Sequence, residues 1–211
     1  MSLGASVLPV FEQLGLLEEI ERISLPSRSV EMYNRKLKPI GGIDQRAHKT
    51  LLGYENYIFA RPRLYDLMLK QVPPEKISFG KKILTTEKEN RVHISCSDNT
   101  SYEGDILIGA DGAYSGVRQS LYKRMDDKGV LPSIDLENFS IGFVSMVGVA
   151  KPKDPDKYPQ LKDTFSHFSV VVGEGGRNYA AVSVPDNQIC WGLGIQLSVA
   201  EAKDQQFRNS E

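Results

Sequence analysis

Cysteine is scarce, with only Cys96 and Cys190 in 211 residues, far apart and both in stretches patterned like strands. That excludes a disulfide-stapled scaffold and a cysteine metal knot, and it is the usage of a reduced, cytoplasmic setting. The three histidines, His48, His93 and His167, share no ligand spacing with one another or with the cysteines, so no metal site is expected. An excess of one charge is also missing: 26 basic groups face 27 acidic ones, for a net charge of -1. A nucleic-acid partner, which needs a basic stripe, is therefore not expected. Apolar runs such as 106–110 and 143–150 stop well short of the ~20 residues that cross a bilayer, so no transmembrane helix is expected. The opening residues carry Pro9 and Glu12 and no basic leader, unlike a signal peptide. Neither Ser115 nor Ser145 stands in a GxSxG elbow, so hydrolase chemistry is not expected.

What is present is the composition of an ordinary globular chain, 40% hydrophobic and 25% charged. A chain of this length buries roughly 70% of its unfolded surface, enough for a core without staples. Val7, Val10, Phe11, Leu14, Leu17 and Ile20 recur at helical steps, which predicts one amphipathic helix capped by Ser6. Strands are expected at 29–33 and 36–40 around Asn34 and Arg35, followed by a turn at Gly41-Gly42. Pro62 suits the first position of a second helix, with Leu64, Leu67, Met68 and Val72 on one face and Arg61 at its N-terminus; Pro73-Pro74 ends it. Strands at 81–86 and 91–97 follow, joined through Glu89-Asn90, with Val92, Ile94 and Cys96 on one side. Beyond about residue 131 the pattern is antiparallel: strands at 139–149, 167–173, 179–184 and 189–197, with Gly173 to Gly176 as a hairpin turn. Ser198 and Glu201 have capping-box spacing for a last helix. Trp191, Tyr179 and Phe168 are either core residues or the lining of a substrate pocket.

The stretch from Asp105 to Arg118, DILIGADGAYSGVR, is the most informative. Its continuous apolar run reads as a strand covered on both faces of a parallel sheet; Asp111-Gly112 breaks it, and Ser115 caps a helix containing Val117 and Leu121. In open α/β sheets, ligands sit outside the carboxyl ends of strands, where a carboxylate beside a glycine reaches ribose or phosphate groups unobstructed. Asp111 holds that position. A lone Asp-Gly is only a turn, but the longer combination is more specific.

With Asp111, Gly112, Ser115 and Arg118 matching a strand-ending Asp-Gly followed by Ser-x-x-Arg, the chain resembles the class A FAD-dependent monooxygenases, the flavoprotein aromatic hydroxylases. Arg61 also matches that family's Arg placed three residues before a helix-start Leu, here Leu64. The resemblance implies FAD held between a nucleotide-binding domain and an antiparallel substrate sheet, with Arg61 and Asp111 by the diphosphate and ribityl portions. It implies Gly112, Ser115 and Arg118 as shapers of the turn and helix head. It also implies a reaction that uses NAD(P)H and O2 to hydroxylate an aromatic or similar apolar small molecule. The family's N-terminal GxGxxG, whose amides cradle the diphosphate, occurs nowhere in this sequence, and nothing after Gly192 matches its later Gly-Asp motif.

The expectation is a mixed α/β (α+β) fold. Residues 1–130 form a partial FAD-binding, Rossmann-like domain whose 28–50 strands are shared with the substrate sheet, and 131–211 form a truncated antiparallel substrate-type sheet. The resemblance covers the middle of the family's length, so the chain is expected to be a fragment, a truncated gene model or a degenerate paralogue. Its alternative reading is a noncatalytic remnant or interaction module, self-associating through an unpaired edge of the nucleotide-binding sheet.

Overall fold

The computed structural model describes residues 1–88, 91–136, 142–198 and 200–201. In chain order its elements are β1 (Ser2–Leu3), α1 (Leu8–Gln13), α2 (Leu17–Arg22), β2 (Leu25–Asn34), β3 (Pro39–Asp44), α3 (His48–Leu52), β4 (Asn56–Ile58) and α4 (Arg61–Leu69). There follow β5 (Ile83–Lys88), β6 (Val92–Cys96), β7 (Ser101–Gly104), α5 (Gly116–Asp127), β8 (Phe143–Ala150), β9 (Ser166–Val172), β10 (Arg177–Val184) and β11 (Gln188–Gln196). They divide into two compact units, Met1–Gln71 with Ser140–Glu211, and Val72–Phe139. The mixed α/β class read from the sequence is the class observed.

The first unit is built on one sheet in the order β1-β4-β2-β9-β10-β11-β8, with β3 also paired to β2. The pairings are antiparallel except β2 with β9, which is parallel. Residues 56–60 are the centre of its packing: Asn56, Tyr57, Ile58, Phe59 and Ala60 are all buried. Strand alternation divides them between two cores. Tyr57 and Phe59 join Leu3, Leu8, Phe11, Leu16, Ile20 and Leu67, while Ile58 and Ala60 join Val182 and Val184, with Phe168 and Cys190 against them. Asn56 is the polar exception and is hydrogen-bonded at both ends of its side-chain amide. Its Oδ1 accepts from the Ala5 amide at 2.8 Å, and its Nδ2 lies 2.6 Å from His48 Nδ1. Because the backbone donor fixes the side-chain amide's orientation, Nδ2 donates and His48 Nδ1 is the acceptor. The Tyr57 hydroxyl donates to Glu21 Oε1 at 2.8 Å; burial chiefly, and that carboxylate next, push the phenol's pKa up.

Three sequence expectations are corrected in this unit. The single N-terminal helix is two, because Gly15 adopts φ +69 and ends α1 in a Schellman motif, with Leu16 N bonding Phe11 O at 2.7 Å and Gly15 N bonding Glu12 O at 2.9 Å. The buried stripe is therefore Leu8, Phe11, Leu16 and Ile20, while Val7, Val10 and Leu14 are exposed; Ser6 caps nothing, and the N-cap of α1 is Val7. The first hairpin turns at Asn34–Lys38, around the Asn34 and Arg35 expected between the strands, with Asn34 Oδ1 accepting from the amides of Lys36 and Lys38. Gly41 and Gly42 instead lie inside β3. A side chain on Gly42 would meet Val30 O at 2.8 Å, so that glycine serves close strand approach rather than a turn. On α4, Leu67 is buried and Leu64 half-buried, but Met68 is exposed, as is Val72 beyond its end.

The second unit is the antiparallel meander β5-β6-β7 with α5 lying against β5. Val92, Ile94 and Cys96 face inward in alternation with exposed His93 and Ser95, as the sequence pattern predicted. Asn99 turns the chain at φ 64, and Asp98 accepts from the amide and hydroxyl of Thr100 and from Lys81. The expected buried parallel strand at 105–110 is not formed. Among the described residues no strand lies beside it, and Ile106 and Ile108 are 81% and 83% exposed. Its apolar pattern suits a covered strand, but without neighbours on either side it has no ladder to join. The Glu89-Asn90 connection, the start of the strand expected at Phe139, and the helix beyond Glu201 lie outside the described residues. The Ser198–Glu201 capping box is made: Ser198 N donates to Glu201 Oε2 at 2.9 Å, and Glu201 N donates to Ser198 Oγ at 3.3 Å.

Two outcomes follow from this packing. Ile20→Ala, at a fully buried position shared by α2 and the helix-facing core, is expected to cost about 3 kcal/mol in denaturant unfolding. Gly148 lies opposite Trp191, and a side chain there would come within 2.5 Å of the indole. Gly148→Ala should therefore displace the ring and shift the emission of the chain's one tryptophan to longer wavelength.

Candidate functional site

The Asp-Gly turn of the second unit is organised around one carboxylate. Asp111 is exposed, and its Oδ2 accepts from the Val117 amide at 3.3 Å. Gly112, at φ +79, makes the reversal that an L side chain resists. Ser115 is buried as the N-cap of α5, its Oγ accepting from Arg118 N at 3.0 Å, while it also hydrogen-bonds the Asp111 carboxylate. Arg118 reaches back to the Ala113 carbonyl and lies over the Tyr122 ring. The Ser115 hydroxyl above all, helped by the backbone amides of Val117, Asp111 and Gly116, holds the Asp111 carboxyl below the usual carboxylate range. Gly109 packs so close to α5 that a side chain would lie 3.0 Å from Val117.

This geometry sets what the turn can bind. An ionised carboxylate already occupies the head of α5, where it satisfies amides and complements the dipole. A phosphate placed on those same amides would meet a like charge; hydroxyl donors, such as those of a ribose or ribityl chain, are the complementary ligands.

Arg61 lies in the first unit, as the first residue of α4, followed by Pro62. Ala60 before it is extended and offers no side-chain cap; Pro62 has no N–H and Arg63 N already bonds Ala60 O at 2.9 Å, so the group offered to an anion there is the Arg61 guanidinium rather than the helix amides. The guanidinium of Arg61 is exposed and has no ion pair among the described residues, whereas Arg63 pairs with Asp186. A cavity of about 170 Å³ near the head of this helix is lined by Arg22, Ala60, Arg63, Val184 and Asp186, without Arg61.

The aromatic trio separates. Tyr179 lies opposite Leu193 and Leu193 opposite Met146, while Ala181 lies opposite Trp191 and Trp191 opposite Gly148, so these share one sheet face. Phe168 lies opposite Val182 on the other face and packs against the second core. Tyr179, Leu193, Met146 and Ile195 are exposed, and the half-buried Trp191 extends the patch. Met146 and Leu193 carry no signal in the sequence, because their membership depends on strand register. Cys96 and Cys190 are both free thiols, and burial raises the pKa of Cys190. No metal-binding cluster exists among the described residues, and no described helix is long and apolar enough to cross a membrane.

No family model matches the chain. It is 32% identical over 154 residues to the FAD-dependent monooxygenase verC1 of Penicillium polonicum, a match covering 70% of this chain and 19% of that protein. To the FAD-dependent monooxygenase ausM of Penicillium brasilianum it is 22% identical over 175 residues, covering 80% of this chain and 37% of the relative. The chain thus spans less than two fifths of these curated relatives. Among solved structures, HpxO of Klebsiella pneumoniae, complexed with FAD and uric acid, superposes with a TM-score of 0.73 at 18% identity, over 97% of this chain and 49% of that one. The fold is that of the flavin hydroxylases, and over the part of their length that it spans the chain is similar to class A FAD-dependent monooxygenases, the family that these matches support.

Proposed function

We propose that this chain is the portion of an FAD-dependent monooxygenase that holds the sugar side of the cofactor and presents a floor to an apolar substrate. The observation that carries the reading is the Asp111 turn. Its carboxylate is kept ionised by Ser115 and helix amides, yet stays open to solvent, which suits it to receive ribityl or ribose hydroxyls. Arg61, at an uncapped helix start and without an ion pair among the described residues, supplies a cation for the diphosphate. Gly112, Ser115 and Arg118 hold the turn in shape. Both groups therefore fit FAD in the chemistry of their donors and acceptors. In this reading the 72–136 segment belongs to the FAD-binding domain.

The face bearing Tyr179, Trp191, Leu193 and Met146 receives an aromatic or similar apolar small molecule and excludes water from it. The flavin, when bound and reduced by NAD(P)H, supplies the activation of O2. No side chain of this chain is assigned a proton-transfer role, and the setting is cytoplasmic, in keeping with two free thiols. The competing reading, a noncatalytic remnant or interaction module, draws on one observation, the exposed Ile106 and Ile108.

Flavin retention after desalting separates the two. Residues 1–211 mixed with FAD should keep it, and Asp111→Ala should weaken retention by about tenfold, the scale of a lost charged hydrogen bond. Asp111→Asn, which still accepts from the Val117 amide, should fall between. A folded wild-type chain, by circular dichroism, that retains no flavin would establish the remnant reading. The pH dependence has a defined sign. The carboxyl's folded pKa lies below its unfolded value of about 3.9, so its contribution is complete above that value and is lost as pH falls through the lowered one. Flavin retention should accordingly be flat from neutral pH down through the ordinary carboxyl range and fall only below it.

A further inference from the structure

The face bearing Tyr179 and Trp191 continues across the sheet to β2. Tyr179 lies opposite Val171 and Val171 opposite Tyr33; one row over, Ala181 lies opposite Ser169 and Ser169 opposite Glu31. Paired residues share a face, so Tyr33 and Glu31 stand at the β2 end of the two rows that hold Leu193 and Trp191. There the apolar surface gives way to a phenol and a carboxylate joined to each other, the Tyr33 hydroxyl donating to Glu31 Oε2 at 2.5 Å. That bond above all, and burial next, push the phenol's pKa up, so it remains a donor at neutral pH.

No cation answers this carboxylate. Glu31 is exposed and has no ion pair among the described residues, while Arg46 is held by Asp44 and Arg35 by Glu174. Arg177 shares the face, but strand spacing and residue rise set it roughly 16 Å from Glu31. A cavity of about 520 Å³ opens beside Glu31, lined also by Ser29, Gly42, Asp44 and Phe165. A ligand that covers the apolar rows and reaches this margin must either satisfy the carboxylate or leave it stripped of water without a donor.

We propose that Glu31, with Tyr33 positioning it, is the specificity determinant of this face and selects flat apolar molecules that carry a hydroxyl or N–H donor at one end. The inference rests on the substrate floor assigned under the proposed function. With neighbouring strands about 4.8 Å apart, β10 lies roughly 10 Å and β11 roughly 14 Å from β2. A two-ring molecule whose donor meets Glu31 therefore lies over Tyr179, and its far end reaches toward Trp191. An ether of the same outline covers the same surface but gives the carboxylate nothing in exchange for its lost water.

Proton NMR of residues 1–211 tests this, with the indole N–H of Trp191, the chain's one tryptophan, reporting occupancy of the face. The probes are para-hydroxybiphenyl and para-methoxybiphenyl. Both should shift the indole resonance on titration, the hydroxyl compound with about tenfold higher affinity. Glu31→Ala should bring the hydroxyl compound down to the affinity of the ether and leave the ether unchanged. Tyr33→Phe should weaken the hydroxyl compound by about threefold and leave the ether unchanged, a split that a merely structural loss would not produce. Equal affinity of the two compounds for the wild-type chain, or a hydroxyl preference that survives Glu31→Ala, would overturn the proposal while leaving the floor in place. Equal weakening of both compounds by Tyr33→Phe would overturn the positioning role of Tyr33. Failure of both compounds to shift Trp191 would remove the floor itself, and the proposal with it.

Discussion

Everything in the first unit leans on a five-residue segment, Asn56–Ala60, that is buried on both faces. A strand with one wet face needs a single core; this one needs two, and the chain supplies them from opposite ends. The N-terminal helices and α4 close over Tyr57 and Phe59, and β10 and β11 close over Ile58 and Ala60. The same segment runs directly into α4, so the position of Arg61 is set by packing on its N-terminal side rather than by a cap of its own. Asn56 ties the assembly to the chain start through the Ala5 amide and to α3 through His48.

The two candidate cofactor groups are held in contrasting ways. The Asp111 turn is local: Gly112, Ser115, Val117 and Arg118 lie within seven residues of the carboxylate, and each bond in it joins near neighbours in sequence. Local structure of that kind costs little loop-closure entropy and is spelled out by residue type. The apolar face of the sheet is the reverse. Tyr179, Leu193 and Met146 come from three strands and meet only because the β8-β11-β10 register places them in one row.

Exposed apolar surface is concentrated where pairing partners are missing. Ile106 and Ile108 carry the pattern of a covered strand without neighbours, and β8 carries that of an interior strand while standing at an edge. In both places residue choice anticipates burial that the described residues do not provide. The chain spans less than two fifths of the curated relatives it matches.

The sequence by itself determined whatever is encoded within a few residues: the Ser115 cap, the Asp-Gly reversal, Pro62 at a helix start, the alternation of Val92, Ile94 and Cys96, and the antiparallel run at 142–196. The apolar periodicity reads Gly15 as lying inside one continuous helix, and the structure ends α1 there instead, because the glycine's positive φ outweighs that periodicity. The strand at 56–58 is not among the sequence expectations, and its two-sided burial depends on cores supplied by distant elements. Tertiary structure alone decided that Phe168 and Tyr179 lie on opposite faces, that Gly42 serves strand approach, and that 105–110 forms no strand. The reason is physical: caps and turns are satisfied by neighbours along the chain, whereas register, close approach and ladder formation need a partner strand that no local pattern supplies.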